Sequence, residues 1–261
     1  MCMVKQVVVN NLLISYSEQK GESGKTLLFL HGWRSDKQVW AGLVASGKLS
    51  SCQVIALDLP GFGQSQNPHP TPLPGGEEGW QVSDYADVVA GFIKKLELKN
   101  VTIIGHSFGG RVGIKLSSTH SGLISKLILV DSAGFAMDAP KKSLYKAAAK
   151  IAKPFFKPGF MQPLRKKIYR KIGAEDYLAT PELQKTFVNV TSEDLSDDMK
   201  NIKAPTLIVN GENDKDTPVE YGELMKFLIP NSKFLILPNA GHFSFLDEPD
   251  EFVKMLGEFI S

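Results

Sequence analysis

The sequence predicts an α/β fold in which a mostly parallel central sheet is flanked by helices on both faces. The first observation is a series of short, nearly continuous apolar runs, at residues 26–30, 53–57, 101–105, 126–130 and 205–210. Such runs are typical of strands that are covered on both sides. The second observation is helical spacing between several of them, as in the apolar residues from Tyr85 to Leu96. Strands that alternate with helices indicate a parallel sheet.

The first and last segments of the chain complete this sheet. Asn10-Asn11 is a turn dipeptide between two short apolar stretches, and it predicts an antiparallel hairpin. Residues 233–237 predict a final strand, and a helix is expected over about 250–260. Residues 67–80 are rich in Pro and Gly, so they predict a surface loop.

The length and composition fit one domain that carries an insertion. A chain of 261 residues with 43% hydrophobic residues can bury a sizeable core. The stretch 134–202 lies between two predicted strands, and its apolar residues from Leu144 to Phe155 recur at helical spacing. We therefore expect a core domain formed by residues 1–133 and 203–261, with 134–202 as an inserted helical cap.

Charge and cysteine content exclude several classes of protein. The 30 basic and 28 acidic side chains nearly cancel, so a nucleic-acid partner is not expected. Cys2 and Cys52 form neither a disulfide framework nor a metal-ligand spacing, which favours a reducing compartment. The first residues lack the features of a signal peptide, and no segment has the apolar length of a membrane span. The expectation is a soluble, cytoplasmic protein. Nothing in the sequence predicts its oligomeric state.

The sharpest chemical signal is the segment VTIIGHSFGG at residues 101–110. An apolar strand is followed by Gly-x-Ser-x-Gly and then by a stretch that can continue as a helix. A serine on a tight strand-to-helix turn needs small neighbours, and Gly105, Gly109 and Gly110 supply them. The hydroxyl of Ser107 then projects from the end of the sheet. This context predicts that Ser107 is a nucleophile.

Further motifs give the chain a resemblance to the α/β-hydrolase family from about the first strand to the last helix. The matching segments are His31-Gly32-Trp33, DLPGFGQS (58–65), GHSFGG (105–110), GENDKDTP (211–218) and NAGHF (239–243). In that family the chain order is nucleophile, acid, histidine. The resemblance implies that Ser107 is the nucleophile, Asp214 the acid and His242 the general base.

Alternatives remain for the acid and the base. Asp216 follows Asp214 by two residues, and Asp131 occupies the place where some members of the family carry the acid. We interpret Asp216 as a helix-capping or solvated residue. For the base, His106 is expected to point away from Ser107 and to pack in the core, and His31 is interpreted as structural.

The resemblance also implies how negative charge on the substrate oxygen would be stabilised. Backbone N–H groups aimed at that oxygen form an oxyanion hole. Here they would belong to Trp33, which follows the His-Gly pair, and to Phe108, which follows the nucleophile. No metal and no organic cofactor is expected.

The predicted cap contains a strongly basic stretch. Residues 141–171 have no acidic side chain, and their basic residues are Lys141, Lys142, Lys146, Lys150, Lys153, Lys157, Arg165, Lys166, Lys167, Arg170 and Lys171. A solvated basic face is the default interpretation. The alternative is attraction of an anionic substrate or peripheral contact with a membrane surface. Arg34 in the loop after His31 is interpreted as pointing to solvent, with contact to an acidic substrate as the alternative.

These observations predict a hydrolase that acts on a small-molecule acyl substrate. The leading hypothesis is hydrolysis of a small or medium carboxylic ester through an acyl-serine intermediate. The same residues could cleave a C–C bond, an amide, a thioester or a lactone, or transfer the acyl group. A ligand-binding receptor of the same fold with slow turnover is the alternative from a different class.

Overall fold

The computed structural model describes residues 3–68, 79–136, 176 and 180–261. The strands within these ranges are β1 (Met3–Val9), β2 (Leu12–Gln19), β3 (Thr26–Leu30), β4 (Gln53–Leu57), β5 (Val101–His106), β6 (Lys126–Val130), β7 (Thr206–Gly211) and β8 (Ser232–Leu237). The helices are α1 (Ala41–Ala45), α2 (Val82–Lys95), α3 (Phe108–Thr119), α4 (Gln184–Ser192), α5 (Ser196–Lys200), α6 (Val219–Leu228), α7 (Ser244–Asp247) and α8 (Pro249–Ile260).

The strands form one mostly parallel sheet of eight strands in the order β1-β2-β4-β3-β5-β6-β7-β8. Of these eight strands, β2 alone runs in the opposite direction, so its pairings with β1 and β4 are antiparallel. The β1–β2 turn has positive φ angles of 49° at Asn10 and 64° at Asn11, as the hairpin prediction requires. The predicted fold class is confirmed.

Both faces of the sheet are covered, because successive residues of a central strand enter different cores. Leu28 and Leu30 of β3 pack in a cluster that includes residues of α2 and α3. Leu27 and Phe29 pack in a second cluster with residues of α1 and α8. All four side chains are fully buried. This explains why the strand reads as a continuous apolar run instead of an alternating one.

The parallel arrangement brings distant loops to one edge. The carboxyl ends of β3, β5, β7 and β8 point the same way, and the loops that follow them carry Trp33, Ser107, Asp214 and His242. Ligand sites of open α/β sheets lie outside the carboxyl ends of the strands.

Only part of the predicted cap lies within the described residues. Of the stretch 134–202, these include α4 and α5. Helix α5 packs on α3, where Met199 is fully buried and Asp198 accepts hydrogen bonds from Lys115 and Ser118. The predicted helix over 144–155, the basic stretch and most of the Pro-rich loop lie outside the described residues, so the cap boundaries stay a prediction. Among the helices that are described, none is both long and apolar enough to cross a membrane.

Candidate active site

Ser107 occupies a strained bend between β5 and α3. Its φ and ψ angles are 51° and −110°, a conformation that costs about 1–3 kcal/mol for a residue other than glycine. The bend also requires Gly105, because a Cβ atom there would lie 2.5 Å from the carbonyl oxygen of Gly109. Backbone hydrogen bonds fix the bend, since the N–H of Ser107 donates to the carbonyl of Val130 at 3.1 Å. The hydroxyl therefore has a defined position at the edge of the sheet.

The structure brings the imidazole of His242 to this hydroxyl. The distance from Ser107 Oγ to His242 Nε2 is 3.2 Å, within hydrogen-bond reach. His242 Nδ1 lies 2.8 Å from Oδ2 of Asp214. Because the carboxylate only accepts hydrogen bonds, Nδ1 carries the proton and Nε2 is free to accept one from Ser107. The three residues thus form a continuous hydrogen-bonded chain.

Asp214 is held by the turn in which it lies. Its Oδ1 accepts hydrogen bonds from the N–H groups of Asp216 at 2.8 Å and Thr217 at 3.1 Å. Oδ2 accepts a further bond from Thr217 Oγ1 at 2.6 Å, and that hydroxyl lies 3.3 Å from His242 Nδ1. Sequence reasoning missed Thr217. A hydroxyl three residues after an aspartate, just before a helix, is the signal that would have indicated it.

The electrostatics of the pair favour a charged acid beside a basic imidazole. Burial opposes ionisation of Asp214, but the hydrogen bonds from His242 and Thr217 outweigh it and hold the carboxyl pKa below its ordinary value. Burial likewise lowers the pKa of His242. The hydrogen bond to Asp214 and its negative charge outweigh that effect, so the pKa of His242 is raised above its ordinary 6.5.

Within the described residues, neither of the other candidate acids is hydrogen-bonded to the His242 ring. Asp216 is exposed, and its carboxylate lies within 4.8 Å of a His242 ring nitrogen without bonding to it, while its N–H donates to Asp214. Asp131 is fully buried, and its carboxylate accepts hydrogen bonds from Gly211 and Ser244 instead of from the imidazole.

The neighbouring histidines are buried and engaged elsewhere. His31 Nε2 accepts a hydrogen bond from the N–H of Leu59 at 3.0 Å, and burial lowers its pKa. His106 Nε2 donates to the backbone carbonyl of His242 at 2.7 Å, and burial lowers its pKa to about 3. Neither ring is hydrogen-bonded to Ser107 in the described part of the chain.

The loop that carries Trp33 passes directly over the nucleophile. A Cβ atom on Gly32 would lie 2.9 Å from His106 Nδ1 and 3.3 Å from the Cβ of Ser107, so only glycine permits this approach. Within the described residues, the backbone N–H groups of Trp33 and Phe108 donate no hydrogen bond. Neither N–H group is therefore used by an acceptor among the described residues, and Phe108 directly follows Ser107.

Two ion pairs hold the residues that follow Trp33 in the chain. Lys37 and Asp58 form a buried ion pair at 2.5 Å, with side-chain exposures of 3% and 0%. Arg34 pairs with Asp176 at 2.9 Å, although both side chains remain partly exposed. Arg34 therefore does not simply point to solvent. Sequence spacing could not reveal either contact, because each pair is distant along the chain.

Aromatic rings pack around Trp33 and Phe108, the predicted oxyanion-hole residues. The ring of Trp33 lies 4.9 Å from Phe62, 5.1 Å from Phe108 and 5.2 Å from Phe187, measured between centroids. We call these four side chains the aromatic cluster. The first two contacts are edge-to-face, a favourable geometry that adds about 0.5–1.5 kcal/mol per pair. The cluster therefore braces the backbone of both Trp33 and Phe108, and Phe187 links it to α4.

One group of side chains at the site has the donor types of a metal ligand set. Atoms of Asp214, Asp216 and His242 lie within 4.8 Å of one another. However, Nδ1 of His242 is protonated and bonded to Asp214 whenever Nε2 accepts from Ser107, and a protonated nitrogen cannot bind a metal. These residues fit a proton-transfer chain better than a metal site.

The chain is similar to known proteins along most of its length. The sequence profile of the alpha/beta hydrolase family matches residues 27–255. The AB hydrolase superfamily protein YisY of Bacillus subtilis (strain 168) is 27% identical over 267 residues, which covers 90% of this chain and 91% of the relative. The pimeloyl-acyl-carrier-protein methyl ester esterase of Nitrosospira multiformis is 26% identical over 267 residues and 94% and 97% of the two chains.

A solved structure extends the similarity to the whole fold. The crystal structure of a bacterial membrane phospholipase A superimposes with a TM-score of 0.77 at 26% identity, covering 99% of this chain and 86% of the other. The family profile includes every loop that carries the site. The chain belongs to the alpha/beta hydrolase family.

Proposed function

We propose that the protein is a serine hydrolase that cleaves small or medium carboxylic esters through an acyl-serine intermediate. The observation that carries the proposal is the hydrogen-bonded chain from Ser107 through His242 to Asp214, with links of 3.2 Å and 2.8 Å. A serine hydroxyl is a weak nucleophile, and a base held in one tautomer by a third group activates it.

In the first step Ser107 Oγ attacks the ester carbonyl carbon while His242 Nε2 takes the hydroxyl proton. The carbonyl electron pair moves to oxygen, and the N–H groups of Trp33 and Phe108 stabilise the oxyanion. Asp214 stabilises the imidazolium that forms. The intermediate then collapses, the C–O bond to the alcohol breaks, and His242 returns its proton to the departing oxygen.

The second half of the reaction restores the enzyme. His242 takes a proton from a water molecule, which attacks the acyl-serine and forms a second oxyanion. Collapse releases the carboxylic acid, and the imidazole returns the proton to Ser107 Oγ. Every role falls on groups of this chain, and the net reaction consumes one ester and one water.

The similarity to named ester-cleaving enzymes supports an ester as a substrate. The relative from Nitrosospira multiformis is named as a methyl ester esterase, and the solved structure is that of a phospholipase A. The aromatic cluster supports an apolar wall close to the oxyanion donors.

A fluorophosphonate probe tests the proposal. This reagent phosphonylates an activated serine, so peptide mass mapping should place the adduct on Ser107 of the wild type. Ser107→Ala should not be labelled, and Ser118→Ala, which changes a serine on α3 away from the bend, should be labelled like the wild type. An adduct on another residue, or a wild type that never reacts, would overturn the proposal.

A panel of chromogenic esters, thioesters, lactones and amides, together with a C–C hydrolase substrate, then shows which bond the protein cleaves fastest.

A further inference from the structure

Asp131 is a fully buried carboxylate that no step of the proposed reaction uses. It lies just after β6 and is 0% exposed. Its Oδ1 accepts a hydrogen bond from the N–H of Gly211 at 2.8 Å. Its Oδ2 accepts two bonds from Ser244, from the N–H at 3.0 Å and from Oγ at 2.7 Å. Hydrogen bonds to a charged acceptor in a buried site are among the strong ones.

The partners of this carboxylate flank the acid and the base. Gly211 is the last residue of β7 and precedes Asp214 by three residues. Ser244 is the first residue of α7 and follows His242 by two residues. A single side chain therefore joins the segment that carries the acid to the segment that carries the imidazole.

The backbone of Asp131 is also held in place. Its φ angle is 44°, in the left-handed region that few residues other than glycine adopt. Its N–H donates to the carbonyl of Val209 in β7 at 2.8 Å. Such a conformation persists where the surrounding contacts fix it, and it aims the carboxylate between β7 and α7.

The charge of Asp131 acts on His242 as well. Gly211 and Ser244 donate three hydrogen bonds to this carboxylate, and these bonds favour its ionised form. Burial is the larger effect and raises the pKa of Asp131 to about 6. At neutral pH it therefore carries a negative charge, which together with Asp214 and Asp216 raises the pKa of His242. His106 on the adjacent strand stays neutral because burial lowers its pKa to about 3.

We infer that Asp131 is a positioning residue for His242: its carboxylate sets the distance and orientation of the imidazole relative to Asp214 and Ser107. The inference rests on the proposed function, because it assigns Asp131 a role in that reaction. A hydroxyl attack needs near-contact geometry, so loosening the segment around His242 lowers the rate even when the chain stays folded.

Three variants separate position, charge and stability. Asp131→Asn keeps the shape of the side chain and removes its negative charge. It also places an amide N–H group against one of the donors of Gly211 or Ser244. Ser244→Ala removes one hydrogen bond and keeps the charge. Asp198→Asn is the matched control, because Asp198 is a partly buried carboxylate bonded to Lys115 and Ser118 on α3. For each, the rate constant of fluorophosphonate labelling is measured against pH, together with the melting temperature.

Asp131→Asn should label about 10- to 100-fold more slowly than the wild type, the range for losing a group that orients a reacting side chain. The midpoint of its acid limb should move to lower pH, because a negative charge near the imidazole is lost. Ser244→Ala should label about two- to tenfold more slowly than the wild type and keep a midpoint close to that of the wild type. Asp198→Asn should match the wild type in both.

An Asp131→Asn protein that melts at a lower temperature but keeps the wild-type rate and midpoint has lost only stability, and that result overturns the positioning role. If Asp131→Asn does not fold, Ser244→Ala decides, and a wild-type rate there overturns it. A wild type that never labels overturns the proposed function itself. A wild type that labels, together with an Asp131→Asn variant that labels equally fast, overturns only the positioning role of Asp131.

Discussion

The two sides of the Ser107 bend are positioned by different physical means. On the oxyanion side, the loop with Trp33 is held by ring packing and by the buried ion pair of Lys37 with Asp58. On the base side, the carboxylates of Asp214 and Asp131 accept hydrogen bonds from backbone N–H groups and hydroxyl groups, and Asp214 also accepts one from the imidazole of His242. In the described residues no Lys or Arg side chain bonds to either carboxylate.

This difference matches the charges of the proposed transition state. Negative charge develops beside Trp33 and Phe108, where the negative charge of Asp58 is already neutralised by Lys37. Positive charge develops on His242, near the carboxylates of Asp214 and Asp131, and no buried cation among the described residues pairs with either one. Each side thus favours the charge that forms there. A buried ion pair and a buried carboxylate without a cationic partner thus lie on opposite sides of one site.

Removing the imidazole should have the largest effect. His242→Ala should lower ester turnover by about 10⁴-fold or more, because the proton acceptor is lost. The measurement is kcat/KM for a chromogenic ester, with His120→Ala as control. His120 is a partly exposed histidine that pairs with Asp87, and its loss should leave kcat/KM unchanged. Near-normal turnover in His242→Ala would mean that another group is the base.

Changing the acid should come next and should also move the pH profile. Asp214→Asn should lower kcat/KM by about 10³- to 10⁴-fold, because the amide no longer fixes the tautomer of His242. Catalysis needs the neutral imidazole, and the pKa of His242 is raised. Wild-type activity should therefore fall as pH drops through a midpoint above 6.5.

Asp214→Asn removes the charge of Asp214 that raises this pKa and weakens the hydrogen bond to the protonated ring, while burial still lowers the pKa. The midpoint of the acid limb should therefore move to lower pH than in the wild type. Asp197→Asn, an exposed carboxylate paired with Lys200, should leave rate and midpoint unchanged. An Asp214→Asn midpoint equal to that of the wild type would contradict the electrostatic account of the base side.

Breaking the ion pair tests the oxyanion side through stability. Lys37→Met should destabilise the fold by about 3–5 kcal/mol, because the Asp58 carboxylate stays buried without its cation. Denaturant unfolding measures this change. Lys200→Met, which removes an exposed pair, should change stability by less than about 1 kcal/mol. Equal, small changes in both variants would show that Lys37 does not neutralise Asp58 in an energetically meaningful way.

Removing one hydrogen bond from the base side should have the smallest effect. Thr217→Val deletes the hydroxyl that donates to Asp214 and should lower kcat several-fold, on the order of 1 kcal/mol. Thr119→Val, which changes an exposed threonine on α3, should leave kcat unaltered. A Thr217→Val rate loss as large as that of Asp214→Asn would mean that the hydroxyl itself has a role in proton transfer.

The fold could be predicted because its determinants are local. Continuous apolar runs such as residues 26–30 predicted central strands, and Asn10-Asn11 predicted the hairpin turn. The positions of Ser107, Asp214 and His242 followed from motif order, and the structure brings them within hydrogen-bond reach. Their catalytic roles stay a prediction.

The supporting contacts could not be predicted, because they join residues that are distant in sequence. Asp131 and Ser244 are 113 residues apart, and Lys37 and Asp58 are 21 residues apart. Neither pairing leaves a periodic pattern in the chain. A lone aspartate after a strand is equally consistent with a catalytic acid or a structural carboxylate, and only the positions of its donors decide between them.

Trapping the acyl-enzyme tests directly whether Ser107 forms a covalent intermediate with the substrate. The wild type is mixed with excess p-nitrophenyl acetate, quenched in acid during turnover, digested and examined by mass spectrometry. We expect an acetyl group on the hydroxyl of Ser107, formed in a burst of nitrophenol release, and neither burst nor acetyl group in Ser107→Ala. Undiminished ester turnover by Ser107→Ala, or an acetyl group that accumulates on a different residue at the turnover rate, would contradict this expectation.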